Sequence, residues 1–359
     1  MAAPVNLTEL EALARERLPQ MVYDYYAGGA NDEITLDENR RAWEAVRLRP
    51  RVLVDVSHVD CSTTVLGRTT ALPVMTAPCG FNGLAHADGE RAVARATAAA
   101  GVVQVVSTVS TTSLEDVAAA APGRRWFQLY CYRDREVTRS LVQRAEQAGY
   151  EALCVTVDVP YLGRREREVR TGFHLPPGVT LKNLEPYAVA EMAAAERDSA
   201  LRKYVNALWD PSLNWDAIDW LRSITKLPLV LKGVLAGADA RLAAEHGAAA
   251  VIVSNHGGRQ LDGSVASARA LPEVVEAAGD RLEVLVDGGI RRGSHVVAAL
   301  AMGARAVLIG RPYLWGLAAD GEAGVTRVLD ELKNEITLAM ALCGRAKVRE
   351  IDGSLIVRQ

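Results

Sequence analysis

The chain has 359 residues, a formal net charge of -3, 49 % hydrophobic and only 5 % aromatic residues. It can bury a large core, and it lacks the basic excess of a nucleic-acid or polyanion binder. No run approaches the roughly 18 apolar residues of a membrane span, and the N-terminus has no basic-then-apolar leader pattern.

Residues 1–65 form a preface that opens on an amphipathic helix at 7–18 and contains "MVYDYYAGGANDE". Short β-branched runs then recur at 72–77, 102–107, 126–130, 153–159, 229–233, 251–254, 284–287 and 306–310. Helix-like segments at 89–100, 114–120, 135–148, 213–224, 236–246, 266–277 and 292–302 fill the gaps between them. Strict alternation of strand and helix predicts a parallel sheet, and eight such units predict an α/β fold of the (β/α)8 type, a TIM barrel. A doubly wound open sheet is the alternative, and it fits less well because no Gly-x-Gly-x-x-Gly turn follows the first strand. An insertion of about 171–211, rich in Pro, Ala and charge, interrupts the repeat after the fourth strand and reads as a lid or disordered loop. The expected organisation is one domain, 1–359, with an N-terminal segment at 1–65, a barrel at 66–317 and a helical C-terminal segment at 318–359. The five cysteines (Cys61, Cys79, Cys131, Cys154, Cys343) are scattered and form no CxxC pair. They point to reduced thiols in a cytoplasmic protein without a disulfide framework or metal site.

Side chains at the C-terminal ends of barrel strands face the active-site mouth. Polar or small residues collect there on every strand: Pro78-Cys79-Gly80, Ser107-Thr108, Gln128 with Tyr130, Thr156 with Asp158, Lys232, Ser254 through Arg259, Asp287-Gly288-Gly289, and Gly310-Arg311. The glycine-rich turns "DGGIRRG" (287–293) and "IGRP" (309–312) follow the last two strands, where barrels commonly hold a phosphate. Arg291 and Arg311 would supply its counter-charge. His256, beside Asp158 and Lys232 on neighbouring strand ends, suits a general base whose pKa the carboxylate raises and whose tautomer it fixes. Arg259 and Arg165 could grip a carboxylate by paired hydrogen bonds.

Together "SNHGGRQLDG", "DGGIRRG", "IGRP", "MVYDYYAGGANDE", "FQLY", "TVDVPYLGRRERE" and "LKGV" resemble the FMN-dependent 2-hydroxy acid oxidase/dehydrogenase family, from about Leu7 to Ile351. The resemblance implies an FMN-bearing barrel in which His256 is the active-site base, Asp158 supports its charge, and Arg259 and Arg165 bind the substrate carboxylate with help from Tyr25. It places Tyr130 near the substrate hydroxyl and Lys232 beside the flavin N1–C2 carbonyl. Flavin contacts carry over to Pro78, Cys79, Gly80, Ser107, Gln128, Tyr130, Thr156 and Ser254. Phosphate and ribityl contacts carry over to Asp287, Gly288, Gly289, Arg291, Gly310 and Arg311.

Where small-acid oxidases of that family have tryptophan and alanine beside the substrate, this chain has Val109 and Gly80. Both replacements remove volume, which suits an aryl side chain. The expectation is therefore oxidation of an (S)-2-hydroxy acid, mandelate or 4-hydroxymandelate, with O2 reduced to hydrogen peroxide. A dehydrogenase passing electrons to a quinone or cytochrome is the alternative acceptor reading, and a non-catalytic phosphate-binding barrel is the alternative in kind. Neither a nucleic acid nor a membrane partner is expected; a homo-oligomer, a tetramer, is implied by the resemblance.

Overall fold

The computed structural model describes residues 4–187 and 199–357. A short hairpin, β1 (Thr63–Val65) and β2 (Arg68–Thr70), precedes eight barrel strands. These are β3 (Val74–Thr76), β4 (Gln104–Ser107), β5 (Arg125–Leu129), β6 (Leu153–Thr156), β7 (Leu229–Val234), β8 (Ala250–Val253), β9 (Glu283–Val286) and β10 (Ala306–Ile309). All neighbours pair in parallel and β10 closes on β3, the predicted (β/α)8 barrel. The strands are apolar on both faces because each is covered twice. Met75, Val105, Trp126, Cys154, Ile252, Leu285 and Leu308 fill the barrel interior, while their neighbours pack outward on the helices. Val65 joins the interior cluster and Leu66 donates its N–H to Glu283, so the hairpin plugs the N-terminal mouth. The open end is the C-terminal one.

Several expected boundaries move. The fourth barrel strand ends at Thr156; Val157 N still donates to Lys232 O at 2.9 Å, and Asp158 and Val159 lie beyond the strand. The preface holds three helices, α1 (Leu7–Arg17), α2 (Gln20–Ala27) and α3 (Ile34–Ala45), where one was expected. The barrel helices α4 (Gly89–Ala99), α5 (Leu114–Ala120) and α6 (Arg135–Gln147) follow as predicted. A short helix α7 (Glu166–Thr171) leads into the insertion, whose described part is partly helical, with α8 (Ala200–Leu208) ahead of the predicted barrel helix α9 (Trp215–Ile224). Phe173, Leu181, Leu184, Leu201 and Trp209 are buried, so these parts form a wall of the core; residues 188–198 of the insertion lie outside the described residues. After α10 (Gly237–Glu245), α11 (Ser267–Ala278) and α12 (Gly293–Ala301), the final helix α13 runs from Arg311 to Leu342 with a kink at Asp320 and Gly321. The barrel's last helix and the C-terminal segment thus share one helical run.

Candidate active site

After β8 the backbone turns through three successive left-handed residues, His256 (φ 59°), Gly257 (φ 66°) and Gly258 (φ 76°). The conformation is strained for a non-glycine residue, by about 1–2 kcal/mol, and local hydrogen bonds hold it. His256 N donates to Ser254 Oγ at 3.0 Å and Gly258 N to Asn255 Oδ1 at 3.1 Å. The Asn255 amide pairs reciprocally with buried Asn39 of α3, both bonds 2.8 Å, so Asn255 fixes the turn from the preface. The strain aims His256 at Asp158, with Nδ1 3.1 and 3.2 Å from the two carboxylate oxygens. A carboxylate can only accept, so Nδ1 carries the proton and Nε2 keeps its lone pair.

Burial is the largest influence on His256 and lowers its pKa; Asp158 acts the other way, while Lys232 and Arg165 add to the lowering. The net shift is downward, contrary to the rise expected from the carboxylate alone. Burial disfavours the Asp158 charge, but His256 and Lys232 outweigh it and hold the carboxyl below its ordinary value. The resting pair is a neutral imidazole on a carboxylate.

A bulge in β7 at Gly233 (φ 114°) makes room for this pair, because a Cβ there would lie 2.5 Å from that of Asp158. The preceding Lys232 is buried, with Nζ 3.0 Å from Asp287 Oδ2 and donating to Ser254 Oγ at 2.9 Å. Burial works against its charge, but Asp287 and Asp158 prevail and keep its pKa above the lysine range. Ser107 Oγ donates to Gln128 Oε1, and Gln128 Nε2 to Thr156 Oγ1, both at 3.0 Å. Gln128, Thr156 and Ser254 therefore form a polar layer supporting the cavity without lining it, and Asp158 stands behind His256 in the same way.

All the other expected site residues line a single cavity at the barrel mouth. At one end, Arg165 and Arg259 share buried Glu168: Arg165 Nη1 lies 3.1 Å and Arg259 Nη2 3.3 Å from its Oε1. Arg259 Nη1 also donates to the carbonyls of Tyr25 (2.6 Å) and Gly28 (2.9 Å). Its guanidinium sits 5.0 Å from the Tyr25 ring centroid, and that ring stacks on Phe173 at 4.2 Å. Burial pushes the Tyr25 phenol up to about 12 against the pull of both arginines, and burial likewise raises Tyr130. Both phenols stay protonated. Tyr130 stacks on Trp209 with centroids 3.6 Å apart.

Gly80 and Val109 are in contact across the same end. A Cβ on Gly80 would lie 2.8 Å from Val109 Cγ2, so the volume that glycine frees is taken up in part by valine. Leu162, Leu201 and Trp209 also line the cavity. Sequence reasoning named none of these three, nor Glu168 and Asn39.

At the other end, Gly288 (φ 87°) and Gly289 (φ 80°) pass so close to α3 that a Cβ on Gly289 would lie 2.1 Å from Asn39 O. Trp43 Nε1 donates to Gly288 O at 2.7 Å. Arg291 is half-buried here; Arg311, also half-buried, lies nearer the first end, since its Nη2 and Arg259 Nη1 donate to the same Gly28 carbonyl, and among the described residues neither Arg291 nor Arg311 has an ion-pair partner within 4.0 Å. Burial lowers Arg291 to about 10, and burial with repulsion from Arg259 and Arg291 lowers Arg311 to about 9. Arg311 gives three donors to the carbonyls of Tyr26, Gly257 and Gly28, bracing the preface while keeping its charge unneutralised. Arg291 Nε and Asp287 Oδ1 are buried without hydrogen-bond partners. Two half-buried cations without a carboxylate partner, beside these orphaned polar atoms, suit a phosphate with hydroxyls next to it. That donor set fits FMN. Pro78, Cys79 and Gly310 line the cavity between the two ends; burial raises the Cys79 thiol, which does not favour a nucleophilic role.

The sequence matches the model of the family described as FMN-dependent dehydrogenase over residues 14–358. It is 52 % identical to an L-lactate oxidase of Nostoc sp. over 99 % of both chains. It is 51 % identical to glycolate oxidase of Spinacia oleracea, over 98 % of this chain and 95 % of that one. Among solved structures, mandelate oxidase with (S)-4-hydroxymandelic acid superposes with a TM-score of 0.94 at 45 % identity, covering 99 % of this chain and 98 % of that one.

Proposed function

The chain belongs to the FMN-dependent dehydrogenase family, and on that premise we propose that it is an oxidase of (S)-2-hydroxy acids with an aryl side chain, mandelate or 4-hydroxymandelate, using O2 as acceptor. The observation that carries the chemistry is one cavity that holds an imidazole lone pair, the Arg165–Arg259 pair and two further cations, Arg291 and Arg311, without carboxylate partners among the described residues. Arg165 and Arg259 hold the substrate carboxylate, and Tyr130 offers its phenol to the substrate hydroxyl. His256 Nε2 takes up the proton released as the carbinol carbon is oxidised, and Asp158, 3.1 Å away, stabilises the resulting imidazolium. FMN, when bound by Asp287, Gly289, Arg291 and Arg311, supplies the two-electron acceptor that passes electrons on to O2. Lys232, held cationic, offers positive charge where negative charge develops.

The aryl preference rests on the small Val109 side chain and on the aromatic wall of Tyr130 and Trp209. Burying a ring of about 100 Å² contributes about 2.5 kcal/mol, close to two orders of magnitude in affinity. A second reading, a small aliphatic acid, draws on Val109 Cγ2 filling part of the space beside Gly80. Five unpaired cysteines support a reducing compartment such as the cytoplasm. The exposed apolar residues Tyr161, Leu261 and Val265 support a homo-oligomeric contact.

Anaerobic mixing of the FMN-loaded protein with mandelate, 4-hydroxymandelate, lactate and glycolate separates these readings. The aryl acids are expected to bleach the flavin with the highest second-order rate constant. Faster bleaching by lactate or glycolate would remove the aryl assignment, and no bleaching by any of the four would remove the hydroxy-acid assignment.

A further inference from the structure

Glu168 lies on α7, one helical turn after Arg165, with its carboxylate buried beneath the arginine pair. A buried charge is tolerated only when paired and hydrogen-bonded. Oε1 takes one donor from Arg165 and one from Arg259, and Oε2 accepts from Ser199 Oγ at 3.1 Å. The remaining restraints come from backbone carbonyls: Tyr25 and Gly28 hold Arg259 Nη1, and Arg259 O accepts from Arg165 Nε at 3.3 Å. Each guanidinium is thus pinned on one side by Glu168 and on another by main chain. Each arginine also repels the other: after burial, Arg165 is the largest influence lowering Arg259, and Glu168 is the first to oppose it.

We propose that Glu168 is a positioning residue that sets both the orientation and the net charge of the carboxylate clamp. With Glu168 ionised, two guanidiniums and one carboxylate leave one positive charge, the complement of a single substrate carboxylate. Without it the clamp carries two, and a dianion becomes the better match. The proposal rests on the reading of Arg165 and Arg259 as the clamp.

The test uses the FMN-loaded protein and two unreactive anions, phenylacetate with one carboxylate and phenylmalonate with two, titrated by their perturbation of the flavin spectrum. Glu168→Gln keeps the side chain's shape and removes its charge. It is expected to bind phenylacetate about tenfold and phenylmalonate about a hundredfold more tightly, because Coulomb attraction doubles with ligand charge. Its anaerobic reduction rate with mandelate should fall at least about tenfold as the arginines lose their common anchor. Tighter binding with slower reduction is a split that mere loss of packing does not give. Glu168→Asp keeps the charge on a shorter arm and should hold both affinities within about threefold of wild type while still slowing reduction. It carries the test alone if the glutamine variant fails to fold. Equal or weaker anion binding by a folded Glu168→Gln, or wild-type reduction rates in Glu168→Asp, overturns the role assigned to Glu168. Arg165→Met serves as the control: should it leave phenylacetate binding unchanged, the clamp reading itself fails.

Discussion

Adding one methyl group at Gly80 tests whether the two small residues of the substrate end act as a unit. An alanine Cβ there would lie 2.8 Å from Val109 Cγ2 and 3.3 Å from Tyr25 Oη, so a neighbour must move. Val109 is β-branched, 5 % exposed and stiff about χ1. Its loop is tied to that of Gly80 by Phe81 N donating to Val109 O at 3.1 Å. Buried Glu90 adds a second tie, accepting from Asn82 N at 3.1 Å, Thr111 N at 2.9 Å and the hydroxyls of Thr111 and Thr112 at 2.8 and 2.9 Å. The loops cannot part, so overpacking should cost about 1–3 kcal/mol. In a Val109→Ala background the clashing Cγ2 is gone, and Gly80→Ala should then be nearly neutral. The assay is a double-mutant cycle on urea unfolding of four FMN-loaded proteins, with kcat/KM for mandelate measured alongside. A coupling energy of at least about 1 kcal/mol is expected, and additivity within about 0.5 kcal/mol would refute the reasoning.

Arg291→Ala or Arg311→Ala should purify with less flavin, and addition of FMN should raise Tm less than it does for wild type; undiminished flavin retention in both would place the phosphate elsewhere. His256→Ala should retain flavin yet slow its reduction by about 10²–10⁴-fold. Wild-type kcat/KM should fall with pH only through a pKa below 6.5, because burial lowers His256, and an acid limb above 6.5 contradicts the resting neutral imidazole. His295, lowered by burial to about 4, contributes stability that is full above pH 6.5 and is lost as pH falls toward 4. The loss should reach on the order of 3 kcal/mol, and urea unfolding of His295→Asn should lack that limb.

Local signals carried the barrel and most of the site into the sequence. Polar residues ending β-branched runs are visible without a structure, because strand ends in a barrel share one face. Helices α2 and α3 were not visible: Pro19 and left-handed Glu33 begin them, and neither gives a side-chain cap. Glu168 was hidden inside "GRRERE", a run that reads as a solvated face. Its signal was the spacing of three to Arg165, which places both on one side of a helical turn, and both prove buried. Asn39 and Trp209 meet the site only through tertiary contact, Asn39 across 216 residues of chain. The His256 shift was legible in its neighbours but not in its sign, since burial depends on everything that packs over the turn.

The cavity wall assigned to the substrate in the proposed reading comes from five separate segments: α2 gives Tyr25, the turn after β3 gives Gly80, those after β4 and β5 give Val109 and Tyr130, and the end of α8 gives Trp209. None of these residues belongs to the apolar strand positions that close the barrel. The wall can therefore change while the barrel and the anion pocket stay the same, and whole-chain identity measures chiefly the latter. Discrimination between two acids needs only about 1.4 kcal/mol per tenfold preference, within reach of one methyl group at Gly80 or one ring at Trp209. On the proposed reading, Val109, Tyr130 and Trp209 set substrate choice by dividing a few tens of cubic ångströms, roughly the volume of one or two methyl groups, and kinetics on variants at those positions test it directly.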